Sequence, residues 1–214
     1  MSGATVKGAP RRPSPLGGRR PTRAELDDFS GMPDGVDDLM PADPDTPVRL
    51  LIVGINPGLW TAAVNAPFAR PGNRFWPSLT AAGLVDGEVD VAAGMSGAQV
   101  EAFLSRGLAL TNLVARATAR ADELTREELR AGADRLVERV ARMRPRAVAI
   151  AGITAFRDAF GRRKAKIGRQ DPSGIEGWPD GTALWVVPQP SGLNAHYQIP
   201  DLARIWKEVW ADTE

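Results

Sequence analysis

The stretch "RLLIVGINPGLW", residues 49–60, joins a short apolar run to a turn rich in glycine and proline. Residues 50–53 are all apolar, which is typical of a strand buried on both faces of a parallel sheet. The run ends in Gly-Ile-Asn-Pro-Gly, where the glycines and the proline let the backbone turn sharply and approach a ligand closely. The sequence therefore predicts a buried strand whose exit delivers the amide of Asn56 to a tight turn.

Apolar runs and helical patterns alternate along the rest of the chain. Further strands are predicted at residues 108–113, 147–151 and 184–187, and helices at residues 74–84, 99–105, 125–143, 153–160 and 201–210. The clearest helix begins at the capping box Thr125-Arg-Glu-Glu128, has one apolar stripe and ends before Pro145. This alternation predicts an α/β fold in which helices cover both faces of a parallel sheet. Ligands of such sheets bind beyond the carboxyl ends of the strands, here at residues 54–59, 112–116, 152–154 and 188–196.

The first 47 residues differ from the rest in composition. Residues 1–23 contain Lys7 and five arginines without an acid, whereas residues 25–45 contain eight acids and no basic residue. This pattern predicts a disordered basic arm and an acidic linker over residues 1–47, and a folded domain over residues 48–214. A capping box at residues 22–25 predicts one short helix in the arm. The arm could attract phosphates or serve as a solubilising tail.

Composition narrows the chemistry. The chain has 214 residues, of which 43% are hydrophobic and 25% charged, as in soluble globular domains. It has no cysteine and one histidine, which excludes disulfides, iron–sulfur clusters and multi-histidine metal centres, so we expect no metal and no cofactor. We find neither a membrane span nor a secretory signal, and expect a cytoplasmic monomer, associated with the nucleoid if it is bacterial.

Two further loops could carry function. In "NAPFARPGNRFW", residues 65–76, Phe68 lies in a loop, which favours a stacking platform, whereas the aromatic pair that starts the next helix favours the core. In "VPQPSGLNAHY", residues 187–197, Leu193 follows a polar Pro-Ser-Gly tip, where it could be a wedge between bases or fold back onto the core. Asn56 could likewise hold a water or a polar ring, or only satisfy the backbone of its own turn.

These loops, together with "TNLVARATARADELTREELRAG" at residues 111–132, resemble in sequence and order the mismatch-specific uracil/thymine DNA glycosylases of the uracil-DNA glycosylase superfamily. The resemblance covers about residues 48–210 and implies a three-layer α/β/α sandwich with a four-stranded, mainly parallel sheet. It implies a monofunctional base excision repair enzyme that acts on double-stranded DNA. Such an enzyme flips uracil, and in some members thymine or a modified pyrimidine, out of a G·U or G·T mismatch and hydrolyses its N-glycosidic bond.

The resemblance also implies residue roles. Asn56 takes the place of the residue that positions the hydrolytic water, and Phe68 that of the aromatic that stacks on the flipped base. The residues Gly192 and Leu193 match the wedge that fills the gap and reads the orphan guanine. The implied substrate-binding residues are Gly54, Ile55, Pro57, Gly58, Thr61 and Phe68, and the implied DNA-binding residues are Arg70, Arg74, Ser191, Gly192, Leu193, Asn194 and His196.

The residue types favour hydrolysis by a positioned water. An amide has no useful pKa near 7, so Asn56 can hold a water but cannot act as a strong base. No lysine lies in the motifs, which argues against a Schiff base; Lys164 and Lys166 are expected at phosphates or in solvent. His196 follows the wedge instead of preceding the Pro-Ser turn, which favours a phosphate or minor-groove contact over catalysis.

Some positions depart from the family pattern, and two other functions stay open. Gln189 stands where some members have Asn. Residues 194–196 are Asn-Ala-His, whereas an Arg can follow the wedge in the family. Trp60 and Thr61 stand where small residues are common. The preference between uracil and thymine is therefore open. One alternative is a nucleotide- or phosphate-binding α/β module, although the glycine spacing of a dinucleotide site is missing. The other is a non-catalytic damaged-DNA-binding protein of the same fold.

Overall fold

The computed structural model describes residues 5–214 and contains one five-stranded sheet. Its strands are β1 (Leu50–Gly54), β2 (Leu108–Asn112), β3 (Ala147–Ala151), β4 (Gly168–Gln170) and β5 (Ala183–Val187). Their order across the sheet is β2-β1-β3-β5-β4, in which only β4 pairs with its neighbour in the antiparallel direction. The predicted α/β class with a mainly parallel sheet is therefore confirmed.

The predicted count of four strands was one short. The additional strand, β4, lies in the polar, glycine-rich region after residue 160, which we interpreted as loop. Its three residues, Gly-Arg-Gln, are exposed or half-buried at the edge of the sheet. An edge strand that packs little apolar surface has no hydrophobic pattern by which the sequence could reveal it.

Six α-helices surround the sheet in the described residues. They are α1 (Leu59–Val64), α2 (Phe75–Ala82), α3 (Gly97–Ser105), α4 (Arg126–Met143), α5 (Ile153–Phe160) and α6 (Ile199–Ala211), and two 3₁₀ helices lie at Arg23–Phe29 and Ala121–Glu123. The sequence predicted all of the α-helices except α1, which is too short to show a helical period. No helix among residues 5–214 has the length and apolar character that crossing a membrane requires.

Side-chain alternation along the strands builds two cores, one on each face of the sheet. Leu50 and Ile52 of β1 pack with residues of α1, α2, α3 and α6. The residues between and after them, Leu51 and Val53, pack with residues of α4 and α5 on the opposite face. All five residues of β1 are buried, because both faces of the sheet are covered. This is the three-layer α/β/α arrangement.

The N-terminal segment, here residues 5–47, lies against the domain, in contrast to the disordered arm that its composition predicts; residues 1–4 of that arm lie outside the described part. Leu39 is fully buried in the core that contains Leu50. It exchanges two backbone hydrogen bonds of 2.9 Å with Leu110, on the free edge of β2. The segment thus satisfies polar groups that an open edge strand would leave unpaired. The predicted short helix is the 3₁₀ helix Arg23–Phe29.

Candidate active site

The carboxyl ends of the parallel strands meet at one edge of the sheet, where a cavity of about 160 Å³ opens. Its walls include eight of the residues that the resemblance singled out, namely Ile55, Asn56, Pro57, Gly58, Thr61, Phe68, Arg70 and Ser191. A larger cavity of about 580 Å³ lies between the N-terminal segment and α4 and contains none of them. We therefore place the candidate site in the smaller cavity.

The side chain of Asn56 has one defined orientation. Its Nδ2 donates to the hydroxyl oxygen of Thr118 at 2.7 Å, to the carbonyl of Arg116 at 3.0 Å and to the carbonyl of Pro57 at 3.2 Å. The Thr118 hydroxyl in turn donates to the carbonyl of Arg120 at 2.7 Å, so its oxygen is an acceptor for Asn56. Since every partner is an acceptor, the amide nitrogen must face them. Its Oδ1 accepts no hydrogen bond from residues 5–214.

The turn that carries Asn56 is held along its length by the loop that follows β2. The backbone N–H groups of Leu113 and Val114 donate to the carbonyls of Gly54 and Ile55, both at 2.9 Å. Further along, the N–H of Thr118 donates to the carbonyl of Pro57 at 3.1 Å. The turn is therefore bonded through its backbone as well as through the Asn56 side chain. These two sets of hydrogen bonds fix the position of the Asn56 side-chain amide.

Gly54 does not line the cavity, but a side chain there would meet Asn112 and Phe68, which do line it. A Cβ atom at Gly54 would lie 2.3 Å from Oδ1 of Asn112 and 3.4 Å from Cζ of Phe68. Phe68 has a left-handed backbone with φ of 55°, and its ring stacks on Phe75 with centroids 4.0 Å apart. Phe75 and Trp76 are buried, as predicted for core residues. One face of the Phe68 ring is thus supported, and the ring lines the cavity.

Leu193 is the most exposed large apolar side chain of the described residues, at 84%. The interpretation in which it folds back onto the core is therefore wrong. Its loop is nevertheless ordered by local bonds: the N–H of Leu193 donates to the Ser191 hydroxyl at 3.2 Å, and the Asn194 side chain donates to the Gln189 carbonyl at 3.0 Å. A rigid tip that presents an apolar side chain to solvent has the form of a wedge for base stacks.

A polar turn and an aromatic platform thus line one cavity at the carboxyl edge of a parallel sheet, and an exposed apolar tip follows two residues after Ser191, which lines the same cavity. The family model for the uracil DNA glycosylase superfamily matches residues 41–213. The chain belongs to this superfamily. Membership indicates a DNA glycosylase, a hydrolase that acts on DNA in repair. It confirms the superfamily part of the resemblance, whereas the mismatch-specific branch stays a prediction.

Two residues of this glycosylase site escaped the sequence analysis. Asn112 is the last residue of β2, and its amide lines the cavity without a hydrogen bond to any described residue. It could have been singled out as Asn56 was, since both are polar residues at the exit of an apolar strand. Thr118 also lines the cavity, but it follows β2 by six residues in a loop, where the sequence has no pattern that would reveal its bond to Asn56.

Arg74 holds the loop that carries Leu193, residues 189–197, here called the wedge loop after its predicted role, instead of being free for the predicted DNA contact. Its guanidinium donates to the carbonyls of Asn194 at 2.6 Å, Tyr197 at 2.7 Å and Gly192 at 3.2 Å. The guanidinium of Arg74 thus donates to three carbonyls of a single loop, which surrounds it. Gly192 also approaches the chain closely, since a Cβ atom there would lie 2.6 Å from the carbonyl oxygen of Gly72. The wedge loop is therefore braced from one side.

The remaining predicted residues have distinct places. Arg70 is exposed and is the one charged side chain among the described residues that line the cavity. His196 is exposed on the wedge loop and does not line the cavity. Trp60, which departs from the family pattern, packs against the core that contains Leu50, and its Nε1 donates to the carbonyl of Ala92 at 2.9 Å. Its side chain thus packs on the core and does not line the cavity.

An ion pair connects the loop after β2, which holds the Asn56 side chain, to α4. The guanidinium of Arg116 donates to both carboxylate oxygens of Glu128, at 2.7 and 2.9 Å. These bonds, with a backbone hydrogen bond from Thr125, lower the pKa of Glu128 to about 2. Glu128 is thus ionised near neutral pH and cannot serve as a proton donor. Among residues 5–214, no three His, Asp or Glu side chains are grouped so as to hold a metal ion.

Proposed function

We propose that this glycosylase removes uracil from G·U mismatches in double-stranded DNA, and thymine or modified pyrimidines opposite guanine more slowly. It would do so by hydrolysing the N-glycosidic bond of a flipped nucleotide. The observation that carries the proposal is the orientation of the Asn56 amide. Three acceptors hold its Nδ2, so its Oδ1 remains to accept a hydrogen bond from a water at the cavity. A water held in this way is positioned to attack the sugar carbon of the N-glycosidic bond, without a base that removes its proton.

The cavity offers three contacts for a flipped pyrimidine. The supported ring of Phe68 provides a face on which the base can stack. The free amide of Asn112 has a donor and an acceptor, which suits the polar edge of a pyrimidine. The backbone N–H groups of Asn56 and Gly58 donate to no described acceptor and can stabilise the charge of a leaving pyrimidine anion.

The exposed Leu193 supports the flipping step. Extruding a base costs a few kcal/mol, and least when the pair is already weakened, as in a wobble mismatch. An apolar side chain that enters the vacated space replaces part of the lost stacking. Since Leu193 is already held at the tip of a bonded loop, little further ordering is required on binding.

Hydrolysis without strand cleavage is the expected reaction. A lyase step requires an amine that forms a Schiff base with the sugar. No lysine is among the described residues that line the cavity, and Lys164 and Lys166 lie in the loop after α5. The water held by Asn56 is therefore the nucleophile that the site supports.

A panel of duplexes tests this function. Uracil, thymine or ethenocytosine is placed opposite guanine, and the products are separated with and without alkali. We expect base release from the G·U duplex first, with strand breaks only after alkali opens the abasic site. Breaks without alkali would show a lyase, and binding of the mismatch without any base release would favour the non-catalytic damage-binding protein.

The rate of base release is expected to vary little with pH across the neutral range. Carboxyl groups titrate near about 4, imidazoles near about 6.5 and lysine amines near about 10, and the described residues that line the cavity include no Asp, Glu, His or Lys. The single-turnover rate constant on a G·U duplex should therefore be flat between about pH 6 and about pH 8.5, with DNA binding saturated at each pH. A bell-shaped profile in that window would reveal a titrating general base and contradict the role of Asn56.

A further inference from the structure

We propose that residues 31–35 position the Asn56 amide, by holding the outer side of the loop to which that amide is bonded. The inference rests on the proposed function, in which Asn56 aims the attacking water. Residues 31–35 lie in the N-terminal segment, before residues 41–213 that the superfamily model matches. The chain would thus complete its active site with a part of its own that precedes the shared domain.

The first observation is a set of backbone hydrogen bonds between the two segments. The N–H of Gly35 donates to the carbonyl of Ala115 at 2.9 Å, and the N–H of Gly31 donates to the carbonyl of Ala117 at 3.0 Å. In return, the N–H of Ala117 donates to the carbonyl of Met32 at 2.8 Å. Residues 31–35 therefore pair with alternate residues of the loop after β2.

Arg116 and Thr118, which alternate with those residues in the loop after β2, bond to the turn that carries Asn56. The carbonyl of Arg116 and the hydroxyl of Thr118 accept from Nδ2 of Asn56, and the N–H of Thr118 donates to Pro57. The carbonyls of Ala115 and Arg116, neighbours in the chain, therefore accept from different segments. The loop at residues 115–118 is thus bonded on one side to residues 31–35 and on the other to the turn that carries Asn56.

The second observation is the packing of Gly35, which is buried against both loops. A Cβ atom there would lie 2.8 Å from Cβ of Ala117 and 3.0 Å from Cβ of Pro57. Pro57 is the residue next to Asn56. Any side chain at Gly35 must therefore displace the turn or the loop that holds the amide, since real Cβ atoms do not approach so closely.

The third observation is that the segment is fastened just beyond residue 35. The N–H of Asp37 donates to Oδ1 of Asn65 at 2.8 Å, and Nδ2 of Asn65 donates back to the Asp37 carboxylate at 3.0 Å. Leu39 then pairs with the edge of β2. Asn65 ends α1, the helix that begins directly after the Asn56 turn. Because the N-terminal segment is fixed at residues 37 and 39, a side chain at Gly35 would displace the turn that carries Asn56 and not the segment itself.

The substitution Gly35→Val tests the inference, with Gly8→Val as the matched control. Gly8 lies in the same segment, and a Cβ there would meet Cγ1 of Val100 on α3 at 2.9 Å, away from the Asn56 turn. Both variants disturb the packing of the N-terminal segment. We expect only Gly35→Val to lower the single-turnover rate of uracil release, by about tenfold, with the affinity for mismatched duplex unchanged.

Two further measurements separate positioning from general destabilisation. In an Asn56→Ala background, Gly35→Val should cause no additional loss of rate, because the group through which it acts is gone. In NMR spectra, the side-chain amide signals of Asn56 should shift in Gly35→Val and stay in place in Gly8→Val. Equal rates for Gly35→Val and the wild type, or equal losses in the two glycine variants, would overturn the inference. If the wild-type chain releases no uracil, the proposed function fails, and the amide signals alone decide the positioning role.

Discussion

The Asn56→Ala variant is expected to release uracil about a hundred- to a thousandfold more slowly than the wild-type chain, while it binds mismatched duplex equally well. The substitution removes the Oδ1 that would aim the water and leaves the cavity walls in place. The side chain is only half-buried, so its loss should affect catalysis more than folding. Single-turnover assays with enzyme in excess give the rate, and fluorescence anisotropy on the same duplex gives the affinity.

Two variants of neighbouring residues sharpen this test. Thr118→Val keeps the side-chain volume but removes the acceptor at 2.7 Å that orients the Asn56 nitrogen, so an intermediate loss of rate is expected. Trp60 lies close to Asn56 in the sequence but outside the cavity. Trp60→Phe removes its hydrogen bond to the carbonyl of Ala92 and should leave the rate of uracil release unchanged. An Asn56→Ala variant with wild-type turnover would rule out water positioning by this amide.

The Leu193→Ala variant is expected to lose about ten- to a hundredfold in the rate on a G·U duplex, and much less on uracil in an unpaired bubble. The wedge contributes only where a base must leave a stack, so melting the substrate in advance removes the need for it. Since Leu193 is 84% exposed, its truncation should leave the thermal midpoint of unfolding unchanged. Parallel rates on the paired and unpaired substrates provide the comparison.

The other exposed large apolar residue of the described part, residues 5–214, supplies a matched control for the wedge. Ile199 begins α6 and is 36% exposed, and Ile199→Ala removes a similar aliphatic group outside the wedge loop. Its rate on the duplex should stay close to that of the wild type. If Leu193→Ala reduced the rates on duplex and bubble by the same factor, the side chain would be acting on chemistry instead of base flipping.

Strands and helices could be predicted wherever the spacing of apolar residues along the sequence indicates which side chains are buried. The all-apolar run of β1 and the capping box and stripe of α4 are such patterns, and both elements have nearly the predicted bounds. The polar edge strand β4 and the short helix α1 have no comparable signal, and both were missed. The N-terminal segment was missed for a related reason: its arginines and acids predict disorder, but in the structure they bond to the domain, as in the pairing of Arg20 with Asp90 at 2.8 Å.

By itself, the sequence determined the buried strand and the Gly-Ile-Asn-Pro-Gly turn at its exit, because apolar runs, glycines and prolines act on the chain locally. The tertiary structure alone decided which way the Asn56 amide faces. Two of its three acceptors lie 60 and 62 residues further along the chain, and the orientation of an amide is set by the partners that the fold brings to it. For the same reason, only the structure could show that Arg74 bonds inside the Leu193 loop and that residues 31–35 bond to the loop that holds the Asn56 turn.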